Sequence, residues 1–220
     1  MQIWYAIPSA NVERATRCFA SWRARGFRTA VLLDPGAEAP PNAHLVLRPD
    51  TYRGYFASIN QLAAVIARQH KTDIVIAGGD DMFPDPRFTA EELARQFFAR
   101  FPDGFGVMQP TGDDLAGTTQ ICGSPWFGHG WLKRAYRGRG PVCGKYRAFF
   151  GDEELKIIAE KLGVLWQRPD VTQRHDHWVR PGGPPKQRYQ VENDRHWPRD
   201  QTLFEQRRAA GWPNSSALSI

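Results

Sequence analysis

The chain has 220 residues, enough for one domain with a tail; at 41% hydrophobic and 24% charged it can build a core and lacks the composition of a disordered chain. A net charge of +6 and an isoelectric point of about 9.5 suit a polyanionic or phosphorylated partner, and equally serve solubility alone. Cys18, Cys122 and Cys143 have no paired spacing, which argues against a zinc knuckle or a disulfide framework and for a reducing, cytoplasmic setting. Residues 1–5 lack the basic start and apolar core of a signal peptide, and no apolar run approaches the ~20 residues that span a bilayer.

Residues 3–7 read as a first strand, closed by Pro8-Ser9-Ala10-Asn11, where Ser9 or Asn11 caps the next helix. That helix runs to about residue 25 with Ala15, Cys18, Phe19 and Trp22 at spacings of three and four, and Gly26 ends it. Residues 27–33 form a second strand with Asp34 at its carboxyl end, and 44–47 a short third. After Tyr52-Arg53-Gly54-Tyr55-Phe56, a helix extends to about residue 69 with Ile59, Leu62, Ala63 and Ile66 on one face. Residues 73–76 are an apolar, β-branched strand, broken at Gly78-Gly79 and followed by Asp80-Asp81. Thr89 caps a helix over 91–100, residues 105–109 form a strand, 111–126 read as loop, and 130–136 as a short helix. The basic, glycine-rich run 137–145 is expected to be mobile. A helix over 152–162 carries Leu155, Ile158 and Leu162, and 164–167 is the next strand. Beyond residue 181 the composition turns to Pro, Gly, Arg and Gln, so residues 1–180 read as the domain and 181–220 as an extension with one helix near 200–210. Strands alternating with helices predict an α/β fold with a mostly parallel central sheet.

In such a sheet, ligands bind at the carboxyl ends of the strands, so Asp34, Asp80 and Asp81 face a crevice. Paired hard oxygen donors suit Mg²⁺ or Mn²⁺ carrying a phosphorylated substrate; the ordinary alternative is that they cap a turn. Asp152 and Glu153 open a helix at the mouth of the sheet, and the competing role for Asp152 is N-capping that helix. His175 and His177 alternate with Asp176, so in an extended segment both imidazoles point to one side, to share a metal or divide between metal and phosphate. A solvated polar strand is the plainer explanation. Arg137, Arg139 and Lys145 have the charge to close over phosphates. Trp126, His129 and Trp131 lie between the acid pair and the Asp152 helix; tryptophan faces stack on sugars and bases, although such aromatics more often fill cores.

Four features in this order, Asp34, Gly79-Asp80-Asp81, Gly151-Asp152-Glu153-Glu154-Leu155 and His175-x-His177, resemble the nucleotide-sugar-dependent glycosyltransferases of the GT-A fold, especially the large family-two-like group, over roughly residues 3–178. The resemblance implies a GT-A-like, Rossmann-like sheet and a hexosyltransferase-type enzyme. It implies use of Mn²⁺ or Mg²⁺ to move a sugar from a nucleoside-diphosphate sugar to an acceptor hydroxyl with inversion. It further implies that Pro8, Ser9, Asn11, Asp34, Arg53 and Asp80 face the donor nucleotide and that Asp81 with His175 or His177 meets the metal. Asp152, with Glu153 beside it, would supply the catalytic base, and Trp126, His129 and Trp131 would meet the acceptor. The chain departs from the family's pattern in reading Gly-Asp-Asp for Asp-x-Asp and in carrying extra acids after Gly151.

Two other classes compete. A nucleotidyltransferase would carry a basic, glycine-rich loop directly after the first strand, which Pro8-Ser9-Ala10-Asn11 is not. A nucleic-acid-binding module is suggested by the basic stretch 186–199 and by Arg207-Arg208, and predicts salt-dependent binding without transfer. The two combine if the acceptor is a modified nucleic acid; a polysaccharide, a lipid-linked saccharide and a protein are the other acceptors.

Overall fold

The computed structural model describes residues 1–70, 72–115 and 117–213, the side chains of Arg188 and Tyr189 excepted. The first half runs β1 (Ile3–Ser9), α1 (Val12–Ala24), β2 (Arg28–Leu33), β3 (Leu45–Leu47), α2 (Tyr55–Gln69), β4 (Ile74–Ala77), β5 (Met82–Phe83) and α3 (Ala90–Arg100). The second half runs β6 (Val107–Pro110), β7 (Trp126–Gly128), α4 (His129–Arg134), a 3-10 turn (Ala135–Gly138), α5 (Gly151–Lys161), β8 (Leu165–Arg168), β9 (Arg174–His175), α6 (Arg188–Asp194) and α7 (Trp197–Ala209). Seven strands form one sheet in the order β3-β2-β1-β4-β7-β6-β8. All neighbours are parallel except β7, which runs antiparallel between β4 and β6. This is the expected α/β architecture with a mainly parallel central sheet. Strands β5 and β9 pair antiparallel as a separate two-stranded ribbon.

Side chains alternate across the sheet as a strand's period of two requires. Ile3, Tyr5 and Ile7 of β1 pack with the α1 stripe of Ala15, Cys18, Phe19 and Trp22 and with Leu93 and Phe97 of α3. Trp4 and Ala6 face the other way, onto Leu62, Ala63 and Ile66 of α2. Farther along that second face, Phe127 of β7 and Val107 of β6 meet Trp131, Leu155 and Ile158. Each fully buried side chain of this size stabilises the fold by roughly 1.5–3 kcal/mol, so the two apolar faces account for the layering. Helix starts follow local chemistry: Asn11 accepts a hydrogen bond from the Arg14 backbone at 3.0 Å, and Thr89 with Glu92 forms a capping box.

Strand β7 begins at Trp126, inside a stretch expected to be loop, and α6 has no counterpart among the expected elements. Three-residue strands carry too little periodicity to register in a sequence. The run 137–145, expected to be mobile, instead buries Val142 and Cys143, and Asn60 clamps Val142 through both of its backbone groups at 2.9 and 3.2 Å. Among the described residues no helix is long and apolar enough to cross a membrane.

Helix α7 docks through charge as well as through Phe204. Glu154 of α5 is fully buried, and Arg207 grips it with two bonds of 2.7 Å. Tyr136 and Tyr146 donate to the same carboxylate at 3.1 and 2.8 Å. Glu154→Ala should therefore lower stability by about 3–5 kcal/mol in chemical denaturation, because it strands a buried guanidinium. A loss below about 1 kcal/mol would mean that α7 docks by apolar contact alone.

Candidate active site

Strands β1, β2 and β4 are parallel neighbours, so their carboxyl ends share one edge of the sheet. After β4 the chain is pressed against Tyr5: a Cβ on Gly78 would lie 2.4 Å from the Tyr5 hydroxyl, which donates to the Gly79 carbonyl at 2.6 Å. Only glycine passes there, and the turn it allows sets Asp80 and Asp81 on the edge. A cavity of about 370 Å³ opens there, lined by Pro8, Ser9, Asp34, Asp80, Asp81 and Asp152, and by His175 and His177 from β9 and the residues after it.

The acid pair is buried and compensated. Ser9 donates to Asp80 at 2.7 Å. The Arg14 guanidinium reaches both acids, at 2.8 Å from Asp80 and 3.0 Å from Asp81. The β5–β9 ribbon sets Met82 opposite His175, and the His175 ring nitrogen Nε2 lies 3.3 Å from Asp81 Oδ1. The two carboxyls are driven apart. Burial raises Asp80 despite Arg14 and Ser9. Burial also opposes charge on Asp81, but the hydrogen bond and charge of His175, with Arg14, outweigh it and hold this carboxyl below the usual range. The His177 ring lies 4.7 Å from that of His175, and burial, with the charge of His175, favours its neutral form. Burial raises Asp34 too, helped by the nearby Glu192.

Asp152 lines the same cavity. The residue at the N-cap of α5 is Phe150, in the left-handed region at φ 67°, so Asp152 does not cap its helix in that way. Its carboxylate accepts from the Glu153 backbone at 3.2 Å, and burial raises its pKa. Tyr55 also lines the cavity, and its ionisation is suppressed by burial and by the nearby Asp152 and Asp81 carboxylates.

Several expected residues are elsewhere. Asn11 is spent on capping α1. Arg53 opens onto a separate groove, and Glu153, next to Asp152, does not line the cavity. Trp126 and Trp131 are core residues, their indole N–H groups satisfied by Gln173 at 3.0 Å and by the Pro141 carbonyl at 2.9 Å. His129 stacks on Phe98 at the opposite end of β7 from Trp126. The structure thus brings none of these three aromatics to the cavity. Nor does it bring Arg137, Arg139 or Lys145; the lysine that lines it is Lys186. Its ammonium lies 4.7 Å from the Trp178 ring centroid and pairs with Asp194, and Trp178 and Asp194 also line the cavity. Sequence reasoning does not place Arg14, Tyr52, Tyr55, Trp178 or Lys186 in the site. Of these, only Arg14 carries a signal, since it lies one helical turn beyond the closing turn of β1.

No protein-family model and no curated protein matches the chain. Among solved structures, a protein from STIV is similar at 12% identity, over 80% of this chain and 85% of that one, with a TM-score of 0.47. The 4-diphosphocytidyl-2C-methyl-D-erythritol synthase is similar at 16% identity, over 76% and 90%, with a TM-score of 0.46. The galactosyltransferase LgtC, solved with donor and acceptor sugar analogs, is similar at 12% identity, over 92% and 96%, with a TM-score of 0.45.

Burial raises the folded-state pKa of Asp152, so its ionisation costs stability as pH climbs past the ordinary carboxylate value of about 4. Asp152→Asn should therefore raise the melting temperature at pH 7, with the gain shrinking toward pH 4.5. A gain independent of pH, or a loss at pH 7, would contradict the burial of this charge.

Proposed function

We propose that the chain is a metal-dependent glycosyltransferase that moves a sugar from a nucleoside-diphosphate donor to an acceptor hydroxyl with inversion. The observation that carries this reading is the convergence of Asp34, Asp80, Asp81, His175 and Asp152 on one cavity at the carboxyl ends of β1, β2 and β4. In this reading Pro8, Ser9 and Asp34, which line the cavity, meet the nucleotide, and Asp34 accepts from ribose hydroxyls.

Among the described residues, no three His, Cys, Asp or Glu side chains stand ready-made as a metal cluster. The donor set nonetheless suits Mn²⁺ or Mg²⁺: Asp81 is held ionised, His175 already contacts it, and Asp80 shares a cation with it. The fit requires Arg14 to release at least one carboxylate oxygen. When bound, the metal neutralises charge on the leaving diphosphate.

Asp152, in the same cavity as the acid pair, acts as general base. Its carboxylate takes the acceptor's proton as the hydroxyl oxygen bonds to the anomeric carbon and the carbon–oxygen bond to the diphosphate breaks. The bonding electrons leave with the nucleoside diphosphate. Direct displacement inverts the anomeric centre. A carboxyl raised by burial is a stronger base once ionised, so the rising limb of the pH–rate profile should lie above the ordinary carboxylate value of about 4. Lys186 and Arg14 supply fixed positive charge near the departing phosphates.

The test is thermal stabilisation by nucleoside diphosphates and nucleotide sugars, with and without Mn²⁺. A ligand at a hundredfold excess over its Kd should add ~2.7 kcal/mol, in a metal-dependent manner for one nucleotide base. Asp81→Ala should abolish that dependence. Asp152→Asn should leave donor binding intact and lower turnover by about 10²–10⁴-fold. Near-normal transfer by Asp152→Asn would remove it as the base, and the absence of any nucleotide-dependent shift would remove the donor site.

A further inference from the structure

We propose that a second, basic groove beside the cavity anchors the phosphates of a single-stranded nucleic acid, placing one of its nucleotides at the candidate active site as acceptor. The groove holds about 520 Å³ and is lined by Arg53, Lys145, Arg147, His196 and Arg199. It is separated from the first cavity by a thin wall: Tyr52, Ala148 and Phe149 line the cavity, while their chain neighbours Arg53 and Arg147 line the groove.

That wall is built rather than incidental. Tyr55 donates its backbone N–H to the Arg147 carbonyl at 2.8 Å. Gly54, at φ 102°, lets the two segments touch, since a Cβ there would lie 2.4 Å from the same carbonyl oxygen. The Arg147 guanidinium lies over the Tyr52 ring at 5.7 Å. Beneath them, the fully buried Asp200 accepts from the backbone N–H groups of Arg147, Ala148 and Phe149 at 2.9, 2.9 and 3.1 Å, and from Arg199 at 2.6 Å. That carboxylate is consumed internally. Among the described residues, no carboxylate stands within ion-pair distance of Arg53, Lys145 or Arg147. The groove therefore carries uncompensated positive charge, the arrangement that phosphates neutralise with release of counterions.

Trp197 adds a stacking surface beside the positive charge. It follows His196, is 46% exposed, and its ring rests on Phe149 and Phe150 at 4.8 Å each. An open indole next to a groove residue offers an unpaired base a stacking surface alongside the phosphate-binding charge.

The acceptor role rests on the glycosyltransferase reading, but binding does not, so it is measured on the whole chain without donor or metal. The probe is a fluorescein-labelled single-stranded 20-mer, read by anisotropy from 50 to 300 mM NaCl. The expected result is binding that weakens with salt. Arg53→Glu with Lys145→Glu, both at exposed positions, should weaken it at least tenfold at an unchanged melting temperature. The same pair should flatten the slope of log K against log salt by about 0.7 for each phosphate that is no longer neutralised. Trp197→Ala should weaken binding without changing the slope. The proposal is overturned if the strand does not bind at 50 mM NaCl or if the charge reversals leave affinity unchanged. Tighter binding of duplex, or of heparin, with no effect of Trp197→Ala would overturn it as well. Failure here, alongside metal-dependent nucleotide stabilisation, would remove the groove and leave the donor site standing.

Discussion

Glu154 has no access to water, and a buried carboxylate is tolerable only when its oxygens are fully engaged. The engagement comes from far along the chain: Arg207 on α7 and two tyrosines from the segment between α4 and α5. The same helix α7 supplies Asp200, which gathers the backbone of residues 147–149. One helix thus holds both the helix that carries Asp152 and the segment that divides the cavity from the basic groove. The geometry of that wall depends on two buried charges, each satisfied across more than 50 residues of sequence.

On the other wall, the acid pair solves the same problem differently. Two adjacent buried carboxylates repel, and here Arg14 bridges them while Ser9 and His175 each take one side. The result is an asymmetric pair, one carboxyl raised and the other lowered, and asymmetry of this kind separates roles within a site. In the proposed function Arg14 compensates the acids in the donor-free protein, and Asp81 with His175 would hold the metal if Arg14 released a carboxylate oxygen.

Much of this is legible in the sequence because it follows short-range rules. The α1 stripe of Ala15, Cys18, Phe19 and Trp22, the Thr89 cap and the α2 face all obey helical periodicity. Asp34, Asp80 and Asp81 reach the cavity because strand ends in a mainly parallel sheet share an edge, and β9 delivers His175 in an extended segment as expected. The rest is decided by contacts that periodicity does not carry. Trp126 and Trp131 sit between two candidate site segments in sequence, yet they fill opposite faces of the sheet. Arg207 and Arg208 read alike as surface charge, but adjacent helical positions point in different directions, and only Arg207 turns inward. Lys186 and Trp178 reach the cavity from segments close to or beyond the expected domain boundary near residue 180, where composition suggests solvent and not a binding wall.

The central claim is that Asp81 and a neighbouring histidine hold a divalent metal together with a nucleoside diphosphate. Electron spin-echo envelope modulation of Mn²⁺, added with each of the common nucleoside diphosphates in turn, tests it most directly. The account predicts protein-bound manganese with a directly coordinated ¹⁴N, for at least one nucleotide, and loss of that coupling when His175 and His177 are replaced by alanine. Manganese that stays free in solution, or that binds with no nitrogen coupling for any nucleotide, would contradict it.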